Sequence, residues 1–138
     1  YQKEISLSEG VEEFLDYCKA HNIFIAILTN GRTKSQYAKV IALDLHRWFD
    51  DDHIFISGGI GYQKPDPMAF QYIEKMFSLN PEETWYIGDT YEADVVGADG
   101  AGWHTVWFNH RNRERLENCA DVTVRSIEEL SRFIKERS

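Results

Sequence analysis

Apolar positions along the chain switch between two rhythms. In GVEEFLDYCKAH (10–21), Val11, Phe14, Leu15 and Cys18 recur every three or four residues, which predicts an amphipathic helix. IFIAIL (23–28) is a short unbroken apolar run, the pattern of a strand covered on both faces. TKSQYAKVIALDL (33–45) returns to the helical rhythm, with Tyr37, Val40, Ile41 and Leu45 on one stripe. HIFIS (53–57) predicts the next strand, closed by Gly58 and Gly59. Asp66 and Pro67 supply an N-cap and a first-turn proline for a helix running to about Leu79. Asn80-Pro81-Glu82-Glu83 turns sharply into a strand at TWYIG (84–88). EADVVGADGAG (92–102) predicts a short helix of small residues ended by glycines. HTVWF (104–108) and DVTV (121–124) are two more strands, and Ser126 with Glu129 forms a capping box for a last helix carrying Leu130, Phe133 and Ile134.

Strands alternating with helices predict an α/β fold, a parallel sheet with helices on both faces. The 138 residues fit one domain over 1–138, with no internal repeat or low-complexity linker. In such sheets ligands gather beyond the carboxyl ends of the strands. That rule selects Thr29-Asn30-Gly31, the segment after Ser57, and Gly88-Asp89 for their chemistry.

Composition narrows the classes. Apolar content of 43% with 14% aromatics predicts a globular chain rather than a disordered one. No apolar stretch is long enough to cross a bilayer and no signal segment opens the chain, so no membrane partner is expected. Fifteen Lys and Arg against 23 Asp and Glu give a net charge of −8, which repels nucleic-acid backbones. The basic cluster HRNRER (110–115) reads as a solvated loop. Cys18 and Cys119 lack metal-type spacing and read as reduced, partly buried thiols of a cytoplasmic protein. The chain opens at Tyr1 rather than Met, which we read as a fragment or a processed product.

Three groups could carry chemistry. Thr29, Asn30 and Gly31 offer a hydroxyl, an amide and free backbone N–H groups before a helix, a ready anion cradle. The plainer alternative is a strand-to-helix corner that tolerates positive φ. Lys64 precedes Pro65, which biases it toward extended backbone and off the following helix, so its ammonium can reach over the strand ends. The alternative is an ordinary exposed lysine. Asp89 ends a strand and Asp94 follows in the first turn of the next helix. Two converging carboxylates repel unless a cation neutralises them, and hard oxygens favour Mg²⁺. Here the alternative is a capping box of Asp89 with Glu92, with Asp94 complementing the helix dipole. Each alternative stands alone; a cradle, a fixed cation and a metal-type pair on successive strand ends favour one phosphate site.

At these residues the chain resembles the haloacid dehalogenase-like superfamily of hydrolases, chiefly phosphatases. ILTNG (27–31) resembles its second motif, QKPDPMAF (63–70) its lysine motif, and YIGDTYEADVVGADGAGWHTVWF (86–108) its acidic fourth motif. The stretch SLSEGVEEFLDYCKAHNIFIAILTNG (6–31) is similar to the family's approach to the second motif. Within the family, GGIGYQKPDP (58–67) is similar to nucleotide and phosphoglycolate phosphatases. The resemblance implies a three-layer Rossmann-like core and a Mg²⁺-dependent phosphomonoesterase acting on a small phosphorylated metabolite through an aspartyl-phosphate. It implies that Thr29 and Lys64 are catalytic, that Thr29, Asn30, Gly31 and Lys64 bind phosphate, and that Asp89 and Asp94 serve the metal.

The family's first motif, an Asp-x-Asp at the end of the central strand, has no counterpart. Asp50-Asp51-Asp52 has the letters but precedes a strand instead of ending one. The chain therefore resembles the core after the cap, without the nucleophile strand or the cap, and is expected to be inactive alone. A sheet missing its middle strand would leave buried donors and acceptors unpaired, at about 1–3 kcal/mol each. A missing N-terminal segment, a swapped segment from a second copy through self-association, or direct pairing of the flanking strands is expected to complete it. Two other function classes stand beside the enzyme. One is a non-catalytic phosphate- or metabolite-binding module. The other, a signalling receiver, is disfavoured because Thr29 stands where its phospho-acceptor carboxylate should be.

Overall fold

The computed structural model describes residues 10–137. Tyr1 and the first residues of SLSEG lie outside the described residues. The chain divides after Gly61 into two compact units.

In the first unit, helix α1 (Val11–Ala20) buries Leu15 and Cys18. Strand β1 (Ile27–Thr29) is followed by helix α2 (Thr33–Ala42), strand β2 (Ile54–Ile56) and a single helical turn, α3 (Ser57–Ile60). β1 and β2 run parallel, with Ile27 opposite Ile54 and Thr29 opposite Ile56. Leu15, Trp48 and Phe49 form the core, covered by Val11, Phe14, Ile25, Ile27, Leu45 and Ile54. The Trp48 indole N–H donates to Asp16 Oδ1 at 2.8 Å, so the ring is buried without orphaning its donor.

Helix α4 (Pro67–Phe77) opens the second unit, capped by Asp66, whose carboxylate accepts from the Met68 N–H. Strand β3 (Trp85–Gly88) leads into a wide π-type turn (Tyr91–Val96) and then α5 (Gly97–Gly100). Strands β4 (His104–Phe108) and β5 (Val122–Val124) and helix α6 (Ile127–Arg137) complete it. The sheet order is β3-β4-β5, all parallel. Phe70, fully buried, meets the Tyr86 and Trp103 rings edge-on at 5.0 and 5.4 Å.

Several expectations are corrected in detail. The α/β class with parallel strands stands, the described strands pairing in two groups, β1-β2 and β3-β4-β5. The apolar run 23–28 supplies a ladder only at its end, because pairing with β2 begins at Ile27. Gly58 and Gly59 belong to α3 rather than a closing turn. Ile41 leaves the α2 stripe and stands 60% exposed, since Val40 alone occupies the buried face of that turn. Cys119 is exposed, while Cys18 is buried; both are free thiols. Gly97 lies close to Phe70 of α4 and to Pro65, and a Cβ there would lie 2.7 Å from the Phe70 ring. In the last cap, Ser126 Oγ accepts from the Glu129 N–H as predicted, but the Glu129 carboxylate reaches back to the Arg125 N–H. No helix among the described residues is long and apolar enough to cross a membrane.

Candidate phosphate and metal site

In the first unit, Thr29 is the last residue of β1, with Asn30 and Gly31 forming the corner into α2. Gly31 has φ +144°, and a Cβ there would lie 2.7 Å from Gln36 Cγ, so a side chain would be strained and would force Gln36 to shift. Ser57, at the matching end of β2, accepts from the Gly31 N–H at 2.9 Å and donates to the Gly31 carbonyl at 3.2 Å. The Gly58 N–H donates to the same carbonyl at 3.0 Å. Gln36 Nε2 donates to Thr29 Oγ1 at 2.6 Å, which orients the hydroxyl so that its own hydrogen points elsewhere. Asp51–His53 form a short 3₁₀ turn before β2, at the amino end of the same parallel ladder whose carboxyl end carries Thr29. Asp50-Asp51-Asp52 is therefore at the wrong end of this sheet to act beside Thr29.

In the second unit, Lys64 lies in a turn outside any helix, ahead of α4, and joins Pro65 through a cis peptide. Its ammonium donates to Asp94 Oδ1 at 2.6 Å and to the Tyr86 hydroxyl at 3.0 Å. The Lys64 and Asp94 side chains are only 11% and 6% exposed. Burial works against the Lys64 charge, but Tyr86 and Asp94 outweigh it and its pKa is raised. Burial likewise pushes the Tyr86 phenol up. Asp94 Oδ2 accepts from the Thr90 N–H at 2.9 Å, so Thr90 and Asp94 lock the first turn after β3. Gly88, the last residue of β3, makes room for this carboxyl group: a Cβ at Gly88 would overlap it.

Asp89 has other partners. Its Oδ2 receives His110 Nε2 at 3.2 Å and Arg111 Nη2 at 3.3 Å, and its Oδ1 receives the Thr90 hydroxyl at 3.2 Å. Partial burial raises the Asp89 pKa, but the His110 and Thr90 hydrogen bonds and the Arg111 charge bring it below the ordinary carboxylate value. The structure thus joins Lys64 directly to Asp94 and sets Asp89 at the same strand end, held by His110 and the Arg111 guanidinium from the loop after β4.

Magnesium takes one or two protein carboxylates and keeps several waters, so a ready-made cage is not required. Among the described residues no three His, Cys, Asp or Glu side chains gather into such a cage. The donor chemistry nevertheless suits the ion. Asp89 offers hard oxygens, one of them paired with the Arg111 guanidinium, and the glycine at 88 leaves space for the Asp94 carboxylate.

A haloacid dehalogenase-like hydrolase model matches residues 1–108. The chain belongs to that family. It is 30% identical over 125 residues to the glyceraldehyde 3-phosphate phosphatase of Pyrococcus furiosus, a match covering 88% of this chain and 51% of that protein. It is 34% identical over 130 residues to the phosphoserine phosphatase of Thermus thermophilus, covering 94% and 51%. Among solved structures, the HAD-hydrolase YfnB of Bacillus subtilis bound to magnesium superposes with a TM-score of 0.81 at 30% identity, covering 93% of this chain and 56% of that one. The chain spans about half the length of the curated relatives it matches. Its α/β architecture is that of the haloacid dehalogenase-like fold.

Thr29 and Asp89 of the motifs stand at strand ends, but the motifs gave several supporting residues no role. Tyr86 was hidden because it reads as one more apolar strand position. Ser57 was visible only as a strand terminus. His110 and Arg111 sat in a loop whose charge read as solvation, and their link to Asp89 spans 21 and 22 residues.

Proposed function

We propose that the chain is the core portion, over residues 1–138, of a Mg²⁺-dependent phosphomonoester phosphatase acting on a small phosphorylated metabolite. The observation that carries this reading is the buried Lys64–Asp94 pair at the carboxyl end of β3, beside Asp89. A lysine whose burial is offset by partners keeps its charge, as neutralising a phosphoryl group requires. Asp94 acts here mainly through Lys64, whose ammonium it orients. Thr29 contributes its hydroxyl hydrogen to a phosphoryl oxygen, because Gln36 already occupies the oxygen as donor. Asn30 and the Gly31 backbone complete the anion cradle. Magnesium, held by Asp89 with Asp94 beside it, would neutralise charge on the phosphoryl oxygens.

Phosphoryl transfer rests on positioning and charge neutralisation, and these residues supply both. They do not supply the attacking carboxylate of an aspartyl-phosphate route. Asp50-Asp51-Asp52 lies before β2, and Asp51 is engaged by His46 and Tyr37. The 138 residues alone should therefore bind orthovanadate in the presence of Mg²⁺ yet give negligible turnover of p-nitrophenyl phosphate. Lys64→Ala and Asp89→Asn should each abolish the vanadate binding. Binding unchanged in both variants would remove the reading, and rapid turnover by the chain alone would reveal a nucleophile elsewhere in it.

A further inference from the structure

Beyond the carboxyl ends of β4 and β5 the second unit carries a groove of about 570 Å³, a size typical of sites for small molecules. Its lining residues include three arginines, Arg113, Arg115 and Arg125, and one acidic residue, Glu114. Three arginines on one concavity are conspicuous in a chain of net charge −8. Two are on the loop that sends Arg111 to Asp89, but they take no part in that contact.

This loop is tied down. Asn109, 3% exposed, donates from Nδ2 to the Arg113 carbonyl and accepts the Arg113 N–H at Oδ1, both at 2.9 Å. At its far end the Tyr91 hydroxyl accepts the Cys119 N–H at 2.7 Å, and Asn118 Nδ2 donates to Thr123 Oγ1 at 3.0 Å. Arg115 is stacked on the Tyr91 ring at 3.8 Å while pairing with Glu92, and Arg125 donates to Asn112 Oδ1. The arginines therefore stand on a fixed frame, and less order has to be created when a ligand arrives. The planar guanidinium fork matches the two oxygens of a carboxylate or phosphate, and several forks on one groove match more than one such group.

We propose that this groove binds a small multivalent oxyanion, held chiefly by Arg113 and Arg125 with Arg115 and Trp107 at its wall. The site is separate from Lys64 and Asp94, and binding needs no metal. The test is calorimetric titration of the full chain in metal-free buffer, with citrate in one arm and inorganic pyrophosphate in the other. The Trp107 indole N–H signal is followed by NMR. Saturable one-to-one binding is expected in at least one arm, shifting the Trp107 signal and weakening as salt is raised. Citrate alone would assign a polycarboxylate, pyrophosphate alone a polyphosphate. Arg113→Ala with Arg125→Ala should weaken binding at least tenfold, whereas Lys39→Ala with Lys75→Ala, the same loss of charge on exposed helix positions, should not. If the double arginine variant does not fold, Arg113→Ala alone suffices, since its anchoring bonds are made by its backbone. No saturable binding of either anion at millimolar concentration, or equal binding by Arg113→Ala, would overturn the proposal.

Discussion

Lys64 and Asp94, thirty residues apart in sequence, meet at 2.6 Å in a setting that leaves both side chains almost wholly covered. An ion pair in such a place is worth little compared with an apolar pair of the same shape, yet breaking one side strands the other charge. Lys64→Met should therefore cost about 3–5 kcal/mol of stability. Lys64→Met combined with Asp94→Leu should recover much of it. Urea unfolding of the three proteins measures both, and a loss below about 1 kcal/mol for the single variant would mean that solvent reaches Asp94.

Gly88→Ala tests the same pair from below. The added methyl overlaps the Asp94 carboxyl group, which cannot retreat without releasing Lys64 or the Thr90 N–H. A loss of about 1–3 kcal/mol is expected, as for other overpacked sites. Thermal unfolding unchanged from the parent would show that the turn after β3 moves freely.

Acid should weaken the first unit through Asp51. His46 Nε2 lies 2.7 Å from Asp51 Oδ1, and the Tyr37 hydroxyl donates to the same oxygen at 2.9 Å. These bonds, His46 first and then Tyr37, lower the Asp51 pKa in the folded chain. A lowered carboxylate stabilises above its unfolded value of about 3.9, and that contribution fades as pH falls through the folded value. Asp51→Asn should flatten the acid limb of stability against pH, measured as urea midpoints between pH 7 and pH 3. An identical limb in the variant would exclude this carboxylate as its source.

The two thiols should react at very different rates. Cys18 is 2% exposed and its burial raises the thiol pKa, so both access and thiolate fraction are low. Cys119 is exposed. One equivalent of a disulfide reagent should be consumed quickly by the native chain and the second only on unfolding. Peptide mapping that found Cys18 labelled first would contradict the described packing of α1.

Local signals were legible wherever a side chain bonds its own neighbourhood. Asp66 caps α4, Asn80 accepts from Glu82 N–H before β3, and HTVWF forms β4 along its whole length. Thr29 and Asp89 were legible as candidates because each falls at or just after the end of a strand, Thr29 closing β1 and Asp89 following β3. What sequence concealed were partners recruited from far along the chain. The spacing of Asp94 from Asp89 pointed to a shared carboxylate site but gave no sign of the bonds its oxygens make to Lys64 and Thr90. The π-type turn at Tyr91–Val96 was equally hidden, since its residues have the composition of an ordinary helix start. Ile41 followed the helical rhythm and still faces outward, because periodicity marks a stripe but not its width.

The Ser57 hydroxyl, which both takes and gives a hydrogen bond at Gly31, turns two three-residue strands into a closed ring of bonds. So short a ladder has few rungs of its own, and the Ser57 oxygen, with the Gly58 N–H beside it, holds the shape of the Thr29 corner. Substitutions at position 57 would consequently mimic damage to the corner itself, and a mutational survey would score this serine with the site residues although it is 26 positions downstream of the glycine it holds.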